Sequence, residues 1–126
     1  SIYYIGSGCF RTPGYHPLFL EGRNGLNIQK TICERQVETY LKKRIESEGG
    51  LTFKFVSPSN AGVPDRIVLK NGKAFFVELK RPNGKLRPLQ QHIARKLYQQ
   101  GFSVYVIDTK EGVDEFVRRE LILDEI

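Results

Sequence analysis

The sequence predicts an α/β fold, a mixed sheet flanked by helices. Three observations predict it. Apolar residues recur at helical spacing in three separated stretches. Short runs rich in β-formers lie between them, and Asn71-Gly72 splits two of those runs into a hairpin. The order is helix, three strands, helix, strand, helix, which places helices against one sheet in one domain.

Residues 1–28 carry no lasting period, because Gly6, Gly8, Pro13, Gly14, Pro17, Gly22 and Gly25 punctuate them. Tyr3, Tyr4, Phe10, Tyr15 and Phe19 make this leader too aromatic for a solvated tail. It is either irregular or an arm that packs on the body or on a second copy. The domain proper is expected over 29–126. Ile32, Val37, Leu41 and Ile45 recur every four or five residues through QKTICERQVETYLKKRIESEGG (29–50), an amphipathic helix that Gly49-Gly50 stops. LTFKFV (51–56) reads as a strand and SPSNAGVP (57–64) as a loop. DRIVLK (65–70) and KAFFVELK (73–80) are the arms of the hairpin. After the loop RPNGK (81–85), Pro88 suits a first helical turn, where its missing N–H costs nothing. Leu89, Ile93, Ala94 and Leu97 give that helix its face, and Gly101 ends it. FSVYVID (102–108) is a strand buried on both faces, and Val113, Phe116, Val117 and Leu121 mark a last helix.

Composition narrows the function. A length of 126 residues suits one domain with a hydrophobic core, and 40% hydrophobic against 27% charged residues argues against global disorder. Twenty Lys plus Arg against fourteen Asp plus Glu give a net charge of +6, which points to an anionic partner, nucleic acid or a membrane surface. No apolar run approaches the ~20 residues of a spanning helix, so the membrane reading is weak. No signal-peptide pattern is present, and the start at Ser1 fits processing or a cloning remnant. Cys9 and Cys33 make neither a disulfide framework nor a zinc cluster, and fit free thiols in a reducing cytoplasm.

The hairpin carries the chemistry. Cross-strand partners have position numbers with a constant sum, so if 70 faces 73, Asp65 faces Glu78. Their Cβ atoms would lie roughly 4.5–5.5 Å apart. Two like charges at that distance repel by about 3 kcal/mol at an effective dielectric near 20. A divalent cation between them resolves the repulsion, and two hard oxygen donors suit Mg²⁺ or Mn²⁺. Lys80, two residues after Glu78, falls on the same face. Carboxylate, carboxylate, metal and ammonium together suit hydrolysis of a phosphodiester. The alternatives are a Glu-x-Lys ion pair on a solvated edge, worth under ~1 kcal/mol, and a bulged turn that offsets Asp65 from Glu78 by one position.

The run GVPDRIVLKNGKAFFVELK (62–80) resembles the PD-(D/E)xK nuclease superfamily, and more closely its virus-type replication-repair nuclease, or VRR-NUC, family. The resemblance covers roughly residues 30 to 108 and includes KFVSP (54–58), GVPDRIV (62–68), VELK (77–80) and GKLRPLQ (84–90). It implies a restriction-endonuclease-like αβββαβ core and a Mg²⁺-dependent DNA endonuclease, with Mn²⁺ substituting. It implies that Asp65, Glu78 and the Leu79 carbonyl ligate metal, that Lys80 is the catalytic lysine, and that Gln90 holds the site or the scissile phosphate. A helix carboxylate is also implied, for which Glu38 and Glu34 compete, with Glu38 fitting the spacing better. Small nucleases of this superfamily commonly act on branched DNA as homodimers, so a resolvase of Holliday-type four-way junctions in a bacterial or phage-infected cytoplasm is expected. Nicking, flap or restriction-like cleavage and a silent DNA-binding module are the alternatives.

Charge placement supports a DNA face. No Asp or Glu occurs between Lys80 and Tyr105, whereas residues 111–126 hold six acids and two bases. Arg81, Lys85 and Arg87 are the expected phosphate contacts, joined by Lys54 and Arg66. Lys42, Lys43 and Arg44 form a candidate second patch, and Arg95 and Lys96 an ordinary solvated face. His16 and His92 have no ligand-spaced partner and read as surface or packing residues.

Overall fold

A computed structural model describes residues 2–6 and 33–122. Along them run β1 (Ile2–Ile5), α1 (Glu34–Ser47), β2 (Leu51–Lys54), β3 (Arg66–Lys70), β4 (Lys73–Leu79), α2 (Pro88–Gln99), β5 (Val104–Ile107) and α3 (Lys110–Phe116), which continues as a π-helical stretch, Val117–Ile122. Asn71 and Gly72 both take positive φ, 52° and 78°, as a two-residue hairpin turn requires. The register therefore runs without a bulge from Lys70 opposite Lys73 to Arg66 opposite Val77. Strands β2, β3 and β4 are antiparallel, whereas β4, β5 and β1 are parallel, and the sheet order is β1-β5-β4-β3-β2. The mixed α/β sheet is the one the sequence predicts.

Period-two alternation sorts the core to two faces. From β4, Phe75, Val77 and Leu79 pack with Val37, Leu41 and Ile45 of α1, with Val113 and Phe116 of α3, and with Val117 and Leu121. Phe76 instead meets Ala94 and Val104, with half-buried Phe55, Ile67 and Leu97. Helices α1 and α3 thus cover one face and α2 the other. Each fully buried Val, Leu or Ile contributes about 1.5–3 kcal/mol through removal from water. All four residues of β5 are buried, as its apolar run demands.

The expected strands 51–56 and 102–108 shorten to Leu51–Lys54 and Val104–Ile107, and the first helix and the leader also differ from expectation. The first helix starts at Glu34, because Cys33 is extended and its N–H is capped by Gln36 Oε1 at 2.9 Å. The last helix starts at Lys110, where Thr109 Oγ1 accepts the Gly112 N–H at 2.9 Å. The leader is not irregular throughout, since Ile2–Ile5 pair in parallel with Val104–Ile107. Tyr3 stacks on Tyr105 with ring centroids 4.9 Å apart. Cys9, Phe10, Tyr15, His16 and Phe19 lie outside the described residues. Among the described residues, no helix is long and apolar enough to cross a membrane.

Candidate active site

The site forms where β3 begins and β4 ends. One step beyond the last pair of the ladder, Asp65 falls opposite Glu78. The Leu79 N–H donates to Asp65 Oδ2 at 2.9 Å, and the Asp65 carbonyl accepts the Phe55 N–H at 2.8 Å, which fixes the residue at both ends. Glu78 is only 4% exposed. Pro88 opens α2, so Gln90 is its third residue, and Gln90 Oε1 accepts the Arg87 N–H at 2.8 Å in a capping box. The same oxygen accepts from Lys80 Nζ at 3.1 Å, while Gln90 Nε2 donates to Glu78 Oε2 at 2.9 Å. Lys80 Nζ stands 3.4 Å from that carboxylate oxygen. Glu78, Lys80 and Gln90 are thus brought together on the α2 side as the sequence reading expected.

The two hairpin carboxyls are both disfavoured as ions. Burial, reinforced by the charge of Asp65, raises the Glu78 carboxyl from its ordinary 4.5 to about 7, against the opposing pull of Lys80. Burial likewise raises Asp65, with Glu38 adding to the rise and the Leu79 N–H and Lys80 opposing it. A cation at this point would recover that unfavourable energy. Among the described residues no group of three or more His, Cys, Asp or Glu side chains converges on a metal position. Asp65 and Glu78, side by side, are hard oxygen donors of the kind that suits a water-retaining ion such as Mg²⁺.

On the α1 side, Glu34, Glu38, Lys54, Phe55, Val56, Asp65 and Leu79 line a cleft of about 220 Å³. Both candidate helix carboxylates reach it. Only Glu38 is held there by a described bond, from Arg66 Nη1 to Glu38 Oε2 at 2.7 Å. Arg66 Nε also donates to Thr52 Oγ1 at 3.1 Å, and Thr52 in turn donates to the Ile67 carbonyl at 2.9 Å. Arg66 is 5% exposed, so its guanidinium is spent inside the protein and not presented to a phosphate, contrary to the expectation for it. Thr52 and the Arg66–Glu38 pair went unseen in the sequence. The available signal was alternation: Arg66 opposes Val77 and must share its core-facing side.

Most of the remaining expected cations are exposed. Arg81, Lys85 and Arg87 are exposed on the segment leaving Lys80, and Lys54 is exposed at the cleft. Lys42, Lys43, Arg95, Lys96 and His92 are exposed, whereas Arg44 is drawn out of the second patch by ion pairs to Asp114 and Glu48.

With this geometry, a profile of the VRR-NUC domain matches residues 20–111. The chain belongs to the VRR-NUC domain family. A protein of Acyrthosiphon pisum secondary endosymbiont phage 1, named "Putative nuclease p44", is 41% identical over 83 residues, spanning 65% of this chain and 89% of the relative. A solved VRR-NUC domain structure shares 32% identity and superposes with a TM-score of 0.65, covering 69% of this chain and 96% of that one. The VRR-NUC match contains α1, β2 to β5 and α2, and so the whole cluster around Asp65, Glu78 and Lys80. Strand β1 lies outside it. The chain thus carries a nuclease domain.

Proposed function

We propose that the protein is a Mg²⁺-dependent, structure-selective DNA endonuclease that hydrolyses phosphodiester bonds, with Mn²⁺ able to substitute. The observation that carries this reading is the buried Glu78 carboxyl, raised to about 7 beside Asp65 and bracketed by Lys80 and Gln90. Such an arrangement costs a fold stability and suits a site that binds a cation. Asp65, Glu78 and the Leu79 carbonyl would hold the ion. When bound, it supplies Lewis-acid stabilisation of the phosphate and a water of lowered pKa. Lys80 stabilises negative charge growing on the phosphoryl oxygens, and Gln90 keeps its ammonium aimed. Glu38, set by Arg66, faces the same cleft and orients water or cation there. Arg81, Lys85, Arg87 and Lys54 track the DNA backbone.

The substrate we favour is branched DNA, a four-way junction resolved by a homodimer in the cytoplasm of a bacterial or phage-infected cell. One site cuts one strand, and paired symmetric cuts need two sites related by a dyad, which a closed dimer supplies. The phage source of the p44 relative is in keeping with that setting. The test is Mg²⁺-dependent cleavage of duplex, flap, single-strand and four-way-junction substrates, each labelled on one strand at a time. Symmetric cuts on opposing junction strands support resolution. Cuts confined to one strand indicate flap or nicking activity, and no cleavage with either metal indicates a DNA-binding module.

A further inference from the structure

The turn after Lys80 is tied down by a buried acid that no motif singles out. Asp108 directly follows β5 and is 6% exposed. Its Oδ2 accepts the Asn83 N–H at 2.7 Å. Immediately before it, the Ile107 carbonyl accepts the Lys80 N–H at 3.1 Å. Asn83 takes a left-handed φ of 63°, and the Gly84 N–H closes the turn on the Arg81 carbonyl at 2.8 Å. A Cβ placed on Gly84 would stand 3.0 Å from Lys80 Cβ and 3.5 Å from Lys80 Cδ, so the turn's backbone lies against the lysine's aliphatic stem. The far end of that stem is the ammonium held by Gln90 and Glu78. From the opposite side, β1 runs into Gly6, whose φ is 135°. A Cβ there would collide with Asp108 Oδ1 and reach within 3.2 Å of Thr109 Oγ1.

We propose that Asp108 is a positioning residue for Lys80, and that β1 seats Asp108 through the close approach of Gly6. The inference rests on the reading of Lys80 as the catalytic lysine. A lysine has four flexible bonds, and a misplacement of about 1 Å at a reacting centre can cost on the order of a hundredfold in rate. Asp108 removes that freedom indirectly, by holding Asn83 and thereby pressing Gly84 onto the stem. The strand that lies outside the VRR-NUC match thus acts on the chemistry without touching it.

The test is single-turnover cleavage at saturating DNA and Mg²⁺, with Mn²⁺ binding measured on the same proteins by calorimetry. Asp108→Ala should slow cleavage by about ten- to a hundredfold with Mn²⁺ affinity unchanged. Asp108→Asn keeps an acceptor oxygen and should recover most of the rate. Gly84→Ala, in a surface turn that does not threaten the core, should also slow the reaction by displacing the stem, and it decides the matter if Asp108→Ala does not fold. Gly6→Ala should reproduce the Asp108→Ala defect, and a wild-type rate would remove β1 from the proposal. A merely structural Asp108 would lower the melting temperature and leave the saturated rate intact, which would overturn the proposal. Lys80→Ala, run alongside, separates the two readings. If it cleaves normally, the nuclease site itself is wrong. If it is inactive while Asp108→Ala and Gly84→Ala are both fast, only the positioning role falls.

Discussion

Glu78→Gln should make the metal-free protein more stable at neutral pH while disabling it. The Glu78 side chain is 5% exposed, and its carboxyl is raised from 4.5 to about 7, burial first and Asp65 second. A carboxyl with a raised folded-state pKa binds its proton more tightly in the fold than in the unfolded chain. Its contribution to stability is therefore complete below pH 4.5 and is lost as pH rises through 7. At ~1.4 kcal/mol per pH unit, the gap between 4.5 and 7 corresponds to at most about 3 kcal/mol. For a domain of this size, that is a melting-temperature change of roughly 10 °C. Glutamine has nearly the same shape and cannot ionise. The difference in melting temperature between Glu78→Gln and wild type, followed by circular dichroism in EDTA, should grow in the variant's favour by that amount from pH 4.5 to pH 8. Mn²⁺ added at pH 8 should restore the wild type and do little for the variant. A difference that stays flat from pH 4.5 to pH 8 would show that the ionised carboxylate is not strained by its surroundings, and the reasoning would be refuted.

Glu78→Gln and Asp65→Asn should each abolish cleavage and leave DNA retention in gel-shift assays intact, whereas Lys80→Ala should abolish it with metal affinity less changed. Replacing Arg81, Lys85 and Arg87 together by Ala should weaken binding to all sequences and shrink the slope of log K against log salt by roughly 0.9 for each duplex phosphate no longer neutralised. An unchanged slope would move the DNA to another surface. Arg66→Met should leave that slope alone and cost about 2 kcal/mol in urea unfolding, less than the 3–5 typical of fully buried ion pairs because Glu38 is partly exposed. A wild-type unfolding midpoint for Arg66→Met would mean that the Glu38 ion pair does not persist in solution. Sedimentation at micromolar concentration should give a species twice 14.5 kDa, and a clean monomer would count against the dimer.

The parts of the site that could be read in advance were those fixed by short-range geometry. Asn71-Gly72 sets the hairpin register, and register with period two places Asp65, Glu78 and Lys80 without any knowledge of the fold. Gln90, by contrast, was implied only by the resemblance to the VRR-NUC family, and the start of α2 at Pro88 accounts for its capping position. What stayed hidden depends on neighbours distant in sequence. Arg66 looks like a phosphate ligand until Glu38 of α1 is seen beside it, and Asp108 looks like the end of a strand until Asn83 folds onto it. Four β-forming residues before Gly6 are too few to show a period, and β1 exists because β5 offers it an open parallel edge. Glu38 and Glu34 both line the cleft, and what distinguishes Glu38 is its deeper burial and its bond to Arg66.

The pairing of Ile2 with Val104 also sets the order in which the molecule can be assembled. Strand β1 leaves the ribosome about a hundred residues before the strand it needs. The β3–β4 hairpin, closed by a two-residue turn, can form early, with the repelling carboxylates already on it. The parallel edge of β5 stays bare until the chain has returned across the whole sheet, so this closure is the slow, high-contact-order step. In that interval Val104–Ile107 is an uncapped apolar strand, the segment most exposed to pairing with another chain. Refolding yield should therefore fall with protein concentration more steeply when β1 is weakened than when the hairpin is.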